Sequence, residues 1–223
     1  MAKRKIVLAT GEIYHIFNRA TAKQTIFGNS RECKRLLDLF QFYQRAHGRK
    51  FSSLTQNERQ RVIAQQEGTL LAEIIAYCIM PNHFHLLLRQ TTEQGITKFL
   101  LRLTDAYSHY FNILHDRVGP LFQGNFKAVR IEDNAQLLQV SRYIHLNPVT
   151  GFLVKHAEEY RWSSYREFID ASAESICSKE VILGQFKNRD QYKKFVSDYA
   201  DYAKKIKKIE HLLMEKEKYR SET

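Results

Sequence analysis

Apolar and polar positions change period several times along the chain. Over residues 12–19, Ile13, His15 and Phe17 alternate with Tyr14, Ile16 and Asn18, a period of two that predicts a strand. From Arg31 the period becomes helical, with Leu36, Leu37, Phe40 and Tyr43 on one stripe. Ser30 is placed to cap this helix, and Gly48 stands where it would stop after His47. Residues 49–68 are polar and charged with little periodicity, so they read as an insertion between core elements. Two apolar strands follow, 72–80 and 83–90, separated only by Pro81-Asn82, which predicts a tight or bulged hairpin. Phe99, Leu100, Leu103, Tyr107, Tyr110, Phe111 and Leu114 then mark a long amphipathic helix from Gly95 to His115, ended by Gly119-Pro120. A fourth strand is predicted over 126–132. After it, Asp133 or Asn134 caps a helix that runs through Leu146 and stops at Asn147-Pro148, because a residue before proline is pushed out of the helical region.

The resulting order is strand, helix, strand, strand, helix, strand, helix. It corresponds to the ferredoxin-like βαββαβ plan: an α+β fold with an antiparallel sheet, helices on one face and one extra helix over 134–146. Pro81, Pro120 and Pro148 all fall at predicted boundaries, which supports the parse. The reading divides the chain into a domain over 8–150, with the polar insertion at about 49–70, and a C-terminal helical extension over 151–223. Within that extension, 203–220 alternates Lys and Glu around Ile206, Ile209 and Leu213, the pattern of a solvated amphipathic helix.

Composition adds a core and a charge. With 43% hydrophobic residues, 14 Phe and 12 Tyr, the 223-residue chain has the material for a packed interior, which excludes disorder and collagen-like order. Lys and Arg number 35 against 24 Asp and Glu, a formal net charge of +11, which points to a polyanionic partner such as nucleic acid; a merely basic soluble enzyme is the alternative on charge alone. Cys33, Cys78 and Cys177 are far apart and contain no C-x-x-C pair, so neither a disulfide framework nor a thiolate zinc site is supported. That fits a reducing cytoplasm. The apolar stretch after the basic N-terminus is too short for a signal peptide, and the run 72–80 is far below a membrane span, so no membrane partner is expected.

Two places carry candidate chemistry. In a strand over 83–90, residues two apart share a face, so His83 and His85 project together while Phe84 points to the opposite layer with Leu86 and Leu88. Paired imidazoles are natural ligands for a divalent ion, Mg²⁺ or Mn²⁺, completed by oxygen donors. The plainer alternative is a wet sheet face. On the helix 134–146, Gln139, Tyr143 and Asn147 stand four residues apart and so stack on one side, apart from Leu137, Leu138, Val140 and Ile144, which face the sheet. A phenol there can attack phosphorus and an amide one turn later can bind a metal, although an amphipathic Tyr with its hydroxyl in water fits the same spacing. Tyr107 and Tyr110 compete for such a role, on a helix whose apolar neighbours favour packing.

Taken together, four stretches resemble the single-tyrosine HUH transposases, specifically the REP-associated tyrosine transposases of bacteria. They are Tyr14-His15-Ile16-Phe17-Asn18-Arg19, Met80-Pro81-Asn82-His83-Phe84-His85-Leu86-Leu87, the segment from Gly119 to Lys127, and Arg142-Tyr143-Ile144-His145-Leu146-Asn147-Pro148-Val149, followed by Trp162-Ser163-Ser164-Tyr165. The resemblance implies a metal-dependent nuclease and strand transferase acting on single-stranded DNA at hairpins from repetitive extragenic palindromes. Carried over residue by residue, Tyr143 is the nucleophile that forms a 5′-phosphotyrosine, and His83, His85 and Asn147 hold the divalent ion. The insertion and the C-terminal extension depart from the family pattern.

Arg19, Lys127, Arg130 and Arg142 adjoin these motifs and are the candidate phosphate contacts, with surface solubility as the alternative. Phe122 and Tyr14 are candidate stacking platforms for unpaired bases, with a core role equally compatible. The expected partner is single-stranded or hairpin DNA in a bacterial cytoplasm, at the nucleoid. The expected state is a monomer whose Tyr143 acts in its own chain, with a dimer as the alternative. A second functional reading is a domesticated, non-catalytic single-strand binder on the same sheet.

Overall fold

The structure is a computed structural model that describes residues 7–173 and 175–206. Strand β1 (Ile13–Arg19) leads to helix α1 (Ser30–Tyr43), and a short ladder of β2 (Arg45–Ala46) with β3 (Thr69–Leu70) encloses helix α2 (Gln56–Ala64). The hairpin of β4 (Ala72–Met80) and β5 (His83–Gln90), helix α3 (Gly95–Leu114), β6 (Lys127–Arg130) and helix α4 (Asn134–Thr150) complete the core. Short helices α5 (Tyr165–Ile169), α6 (Glu180–Leu183) and α7 (Arg189–Ser197) follow. The sheet order is β4-β5-β1-β6, with every neighbouring pair antiparallel, as the ferredoxin-like plan requires.

Alternation sorts the two faces. Tyr14, Ile16, Phe84, Leu86 and Leu88 are buried beneath α1 and α3, where Phe84 meets Phe40 edge to face at 6.1 Å and Phe122 at 5.9 Å. Each such fully buried side chain contributes about 1.5–3 kcal/mol of apolar burial. The opposite face presents His15, Phe17 and Arg19 beside His85 and His83, with Lys127 across from Phe17. Helix α4 crosses this second face over β4 and β5. The outer edge of β4 is closed by the C-terminal segment: Ile79 N–H donates to Trp162 O at 2.9 Å, and Ser164 N–H to Tyr77 O at 3.0 Å. An edge so paired offers no template for another chain.

Several sequence expectations shift. The α1 cap is Asn29 rather than Ser30, because Asn29 accepts from Glu32 N–H while Glu32 reaches back, a complete capping box. The helix stops at Tyr43, four residues before His47, because residues 45–46 pair with 69–70 instead of continuing. The insertion contains a helix, α2, opened by a second capping box of Thr55 and Glu58. Helix α4 runs through Pro148 to Thr150 rather than stopping at Asn147-Pro148. In the last turn a proline forgoes only one backbone hydrogen bond, and Leu146, Pro148 and Val149 are buried there. Tyr14 and Phe122 belong to the core, so neither is a stacking platform. Beyond residue 206, the helix expected over 203–220 lies outside the described residues.

Candidate active site

Strand parity and register assemble the site. Because Phe17 pairs with His85 and Arg19 with His83, the strand ends bring two histidines, an arginine and an aromatic ring to one patch. The His83 and His85 rings stand edge to face, 5.0 Å between centroids. Tyr143 on α4 approaches from above, its ring 5.4 Å from His85 and 5.9 Å from His15, both edge-on. It is 50% exposed, although it sits over a largely buried patch. His83, His85 and Tyr143 line a cavity of about 480 Å³ with Arg19, Lys127, Gln123, Asn125 and Asn147, and His15 supports His85 from outside the lining. No carboxylate lines it, so its two cations are unopposed and suit a phosphate group.

Hydrogen bonds fix the rings. His15 Nε2 lies 3.0 Å from His85 Nδ1, and His85 Nε2 is buried with no partner. An unpaired imidazole nitrogen in a closed site costs stability unless something binds it, so Nε2 has the chemistry of a ligand atom. His83 Nδ1 lies 2.6 Å from Asn82 Oδ1, which can only accept, so His83 donates there and carries its lone pair on Nε2. Burial pushes His15 down to about 4, and burial with the neighbouring His15, His83 and Arg19 holds His85 well below the usual imidazole range. Both rings are therefore neutral near pH 7, the form that ligates metal.

Asn147 is 7% exposed and its amide N–H donates to Tyr143 O at 2.9 Å. A carbonyl only accepts, so the amide nitrogen faces it and Oδ1 is the atom left for the cavity. Among the described residues no three His, Cys, Asp or Glu converge as a metal-binding group. The donor set is instead two imidazoles and one amide, and the orphaned His85 Nε2 fits a resident cation.

The structure brings His83, His85, Tyr143, Asn147, Arg19 and Lys127 together. It does not bring Arg130 or Arg142. Arg130 pairs with Tyr14 and so points to the opposite face of the sheet, where it bridges Glu12 at 3.0 Å. Arg142 stacks on Tyr199 at 3.9 Å and Phe195 at 4.4 Å and bonds Gln139, which joins α4 to α7. Sequence reasoning passed over three contributors and one residue that holds α4 from its far side. His15 was legible from parity alone, whereas Gln123 and Asn125 enter only because the loop before β6 bonds back to β1, Gln123 N–H to Arg19 O at 2.8 Å. The fourth, His145, faces away from the cavity and is fully buried, held by Tyr192 Oη at 2.7 Å and Ser164 Oγ at 2.9 Å.

No curated protein matches the chain. The structure of a REP-associated tyrosine transposase bound to a REP hairpin is similar in fold, at 13% identity and a TM-score of 0.55, over 79% of this chain and 90% of that one. A crystal structure from Deinococcus radiodurans R1 overlaps 64% of this chain and 95% of its own at 16% identity, with a TM-score of 0.37, too low to bear on the fold. Residues 43–147 match the family model for IS200-like transposases, a span that contains the histidine pair, Tyr143 and Asn147. The segment that supplies His83, His85, Tyr143 and Asn147 is therefore similar to the IS200-like transposases.

Proposed function

We propose that the chain cleaves and rejoins single-stranded DNA beside a hairpin, with Tyr143 as the nucleophile. The observation that carries the reading is a half-exposed phenol set over two neutral histidines, in a cavity with Arg19 and Lys127 and no carboxylate. The hairpin partner is proposed from the fold neighbour, whose structure holds a REP hairpin.

His83, His85 and Asn147 would hold a divalent ion, Mg²⁺ or Mn²⁺, which when bound supplies electrophilic polarisation of a phosphate oxygen. Arg19 and Lys127 bind and orient the scissile phosphodiester through its charge. Tyr143 Oη attacks phosphorus: the Tyr143 O–P bond forms, the P–O3′ bond breaks, the phenolic proton leaves to solvent and the departing 3′ oxygen takes up a proton. The 5′-phosphate stays on Tyr143, so the same exchange run backwards by a 3′-hydroxyl rejoins a strand without a nucleotide cofactor. Asn147, bonded to the carbonyl of Tyr143, fixes one geometry between the amide and the turn that carries the phenol.

The test is Tyr143→Phe, which removes one exposed hydroxyl and leaves the ring and its packing. Incubated with Mn²⁺ and a hairpin carrying a single-stranded flank, the parent forms a denaturant-resistant protein–DNA adduct. The variant forms none yet binds DNA within about twofold of the parent. Tyr202→Phe, at an exposed position remote from the cavity in sequence, still forms the adduct. An adduct retained by Tyr143→Phe overturns the nucleophile assignment, and a parent that binds without any adduct favours the non-catalytic binder.

A further inference from the structure

Helix α4 ends on the wall of the Tyr143 cavity, which Thr150 and Gly151 line together with Asn147. The turn that follows is a Schellman motif: Leu153 N–H donates to Pro148 O at 2.9 Å, and Phe152 N–H to Val149 O at 3.2 Å. This motif sets the residue after the cap in the left-handed region, a place that glycine usually takes because a Cβ is disfavoured there. Here that residue is Phe152, at φ 57°. The neighbouring glycine serves another need. A Cβ on Gly151 would stand 2.9 Å from Met80 Cε and 3.0 Å from Asn147 O, so Gly151 lets the chain pass close to the end of β4.

The fold thus holds a phenylalanine in a strained conformation and leaves it in water. Of the 14 phenylalanines, all of them described, only Phe152 is exposed, at 66%. Among the described residues no other ring and no cation packs on it. Burial is the ordinary fate of this side chain, and strained backbone of this kind clusters at ligand and active sites. The cavity itself offers no open ring for a ligand. Phe17 lines it, but His15 lies 5.3 Å and His85 6.0 Å from its ring, and Lys127 Nζ stands 6.0 Å from its centre. Tyr143 carries the proposed nucleophile.

A phosphodiester seated by Arg19 and Lys127 brings with it the bases of the nucleotides on either side. In a single strand these bases are unpaired, and their π-faces stack on aromatic side chains whatever the sequence. We propose that Phe152 is the stacking platform for one unpaired base beside the scissile phosphodiester. The inference rests on the proposed reading of the cavity as a site for single-stranded DNA, and adds to it where a base is held. The Schellman hydrogen bonds tie Phe152 to the helix end that carries Asn147 and Tyr143, so one rigid element seats both base and phosphate.

The experiment uses the full chain with fluorescein-labelled oligo(dT) and with an abasic oligomer of equal length, which keeps every phosphate and removes every base. Glycine takes the left-handed turn freely, so the thermal midpoint of Phe152→Gly stays at or above that of the parent. Its affinity for oligo(dT), read by anisotropy, falls at least about fivefold, the lower end of what one stacked base contributes. The slope of log affinity against log salt is unchanged, because no cation is lost. Phe152→Trp keeps the parent affinity, and on the abasic strand the parent and Phe152→Gly bind alike. Equal affinity of the two for oligo(dT) overturns the inference. So does a difference that persists on the abasic strand, which assigns the loss to the turn rather than to a base. A parent dimer that Phe152→Gly dissolves, with oligo(dT) affinity intact, also overturns it, since the ring then belongs to an interface between copies. Adduct formation with Mn²⁺ on a flanked hairpin is scored separately. A parent that shows the stacking difference without any adduct sinks the proposed reaction alone, and a parent that forms the adduct while Phe152→Gly binds as well as it does sinks this inference alone.

Discussion

At the scale of single residues, the informative atom is His85 Nε2, buried and unpartnered because His85 spends Nδ1 on His15. His15 is thus a positioning residue: it holds the orientation of the His85 ring, and when its Nε2 accepts from His85 Nδ1–H the Nε2 of His85 is left as a lone pair. Replacing it with Ala removes that support without touching the proposed ligand atoms. Mn²⁺ affinity of His15→Ala, measured by titration calorimetry, is expected to fall about 10- to 100-fold, the range for lost outer contacts of a metal-binding histidine. An unchanged affinity would show that His85 orients itself. The pairing of His83 with His85 was legible from a two-residue spacing in a strand, since parity is local. The contribution of His15 was legible only in part: parity put it on the face of Phe17, but nothing in the sequence states that β1 lies beside β5.

At the scale of elements, α4 is set by what it buries. Tyr143 and Asn147 line the cavity on one side, while His145 anchors the other through Ser164 and Tyr192. Ser164 in turn accepts from Tyr77 N–H of β4 at 2.9 Å, so one buried chain of polar groups ties sheet, α4 and α7 together. Burial pushes His145 down to about 3, so the folded protein keeps it neutral while the unfolded chain takes up a proton near pH 6.5. The sign follows: this stability is complete above about pH 6.5 and is lost as pH falls toward about 3. His145→Gln should cost about 1–3 kcal/mol at pH 7.5, since partners are left unsatisfied, and should lose less on going to pH 5 than the parent does. Urea midpoints at the two pH values check both, and equal losses would exclude His145 as the titrating group. Helix and strand identities along the core were readable because their periods are local. The end of α4 was not, because burial of its last turn outweighs the proline rule.

At the scale of the molecule, basic side chains of β1 and β6 lie on both faces of the sheet. On the face of Tyr143, Arg19 and Lys127 act without opposing carboxylates, whereas Arg130 is turned away and paired with Glu12. For a single-stranded oligonucleotide, Lys127→Ala should therefore weaken binding and flatten the salt slope by about 0.7. Arg130→Ala should leave both nearly unchanged. Anisotropy titrations across a salt series distinguish them, and equal effects would mean that DNA spans both faces of β6. No helix among the described residues is long and apolar enough to cross a membrane.

Sequence by itself determined what depends on neighbours along the chain. The alternation of β1, the Pro81-Asn82 hairpin, the face shared by His83 and His85, and the four-residue spacing of Gln139, Tyr143 and Asn147 are all of this kind. The order of elements then limited the sheet to few topologies. Tertiary structure decided what depends on register and packing. It set Phe17 against His85 and turned Arg130 to the far face, a consequence of a pairing register in which one residue of slip would invert every side chain. It gave Arg142 to α7, and it fixed the insertion against α1, because Phe51 is held by contacts from α1 and α2 that lie outside any sequence window.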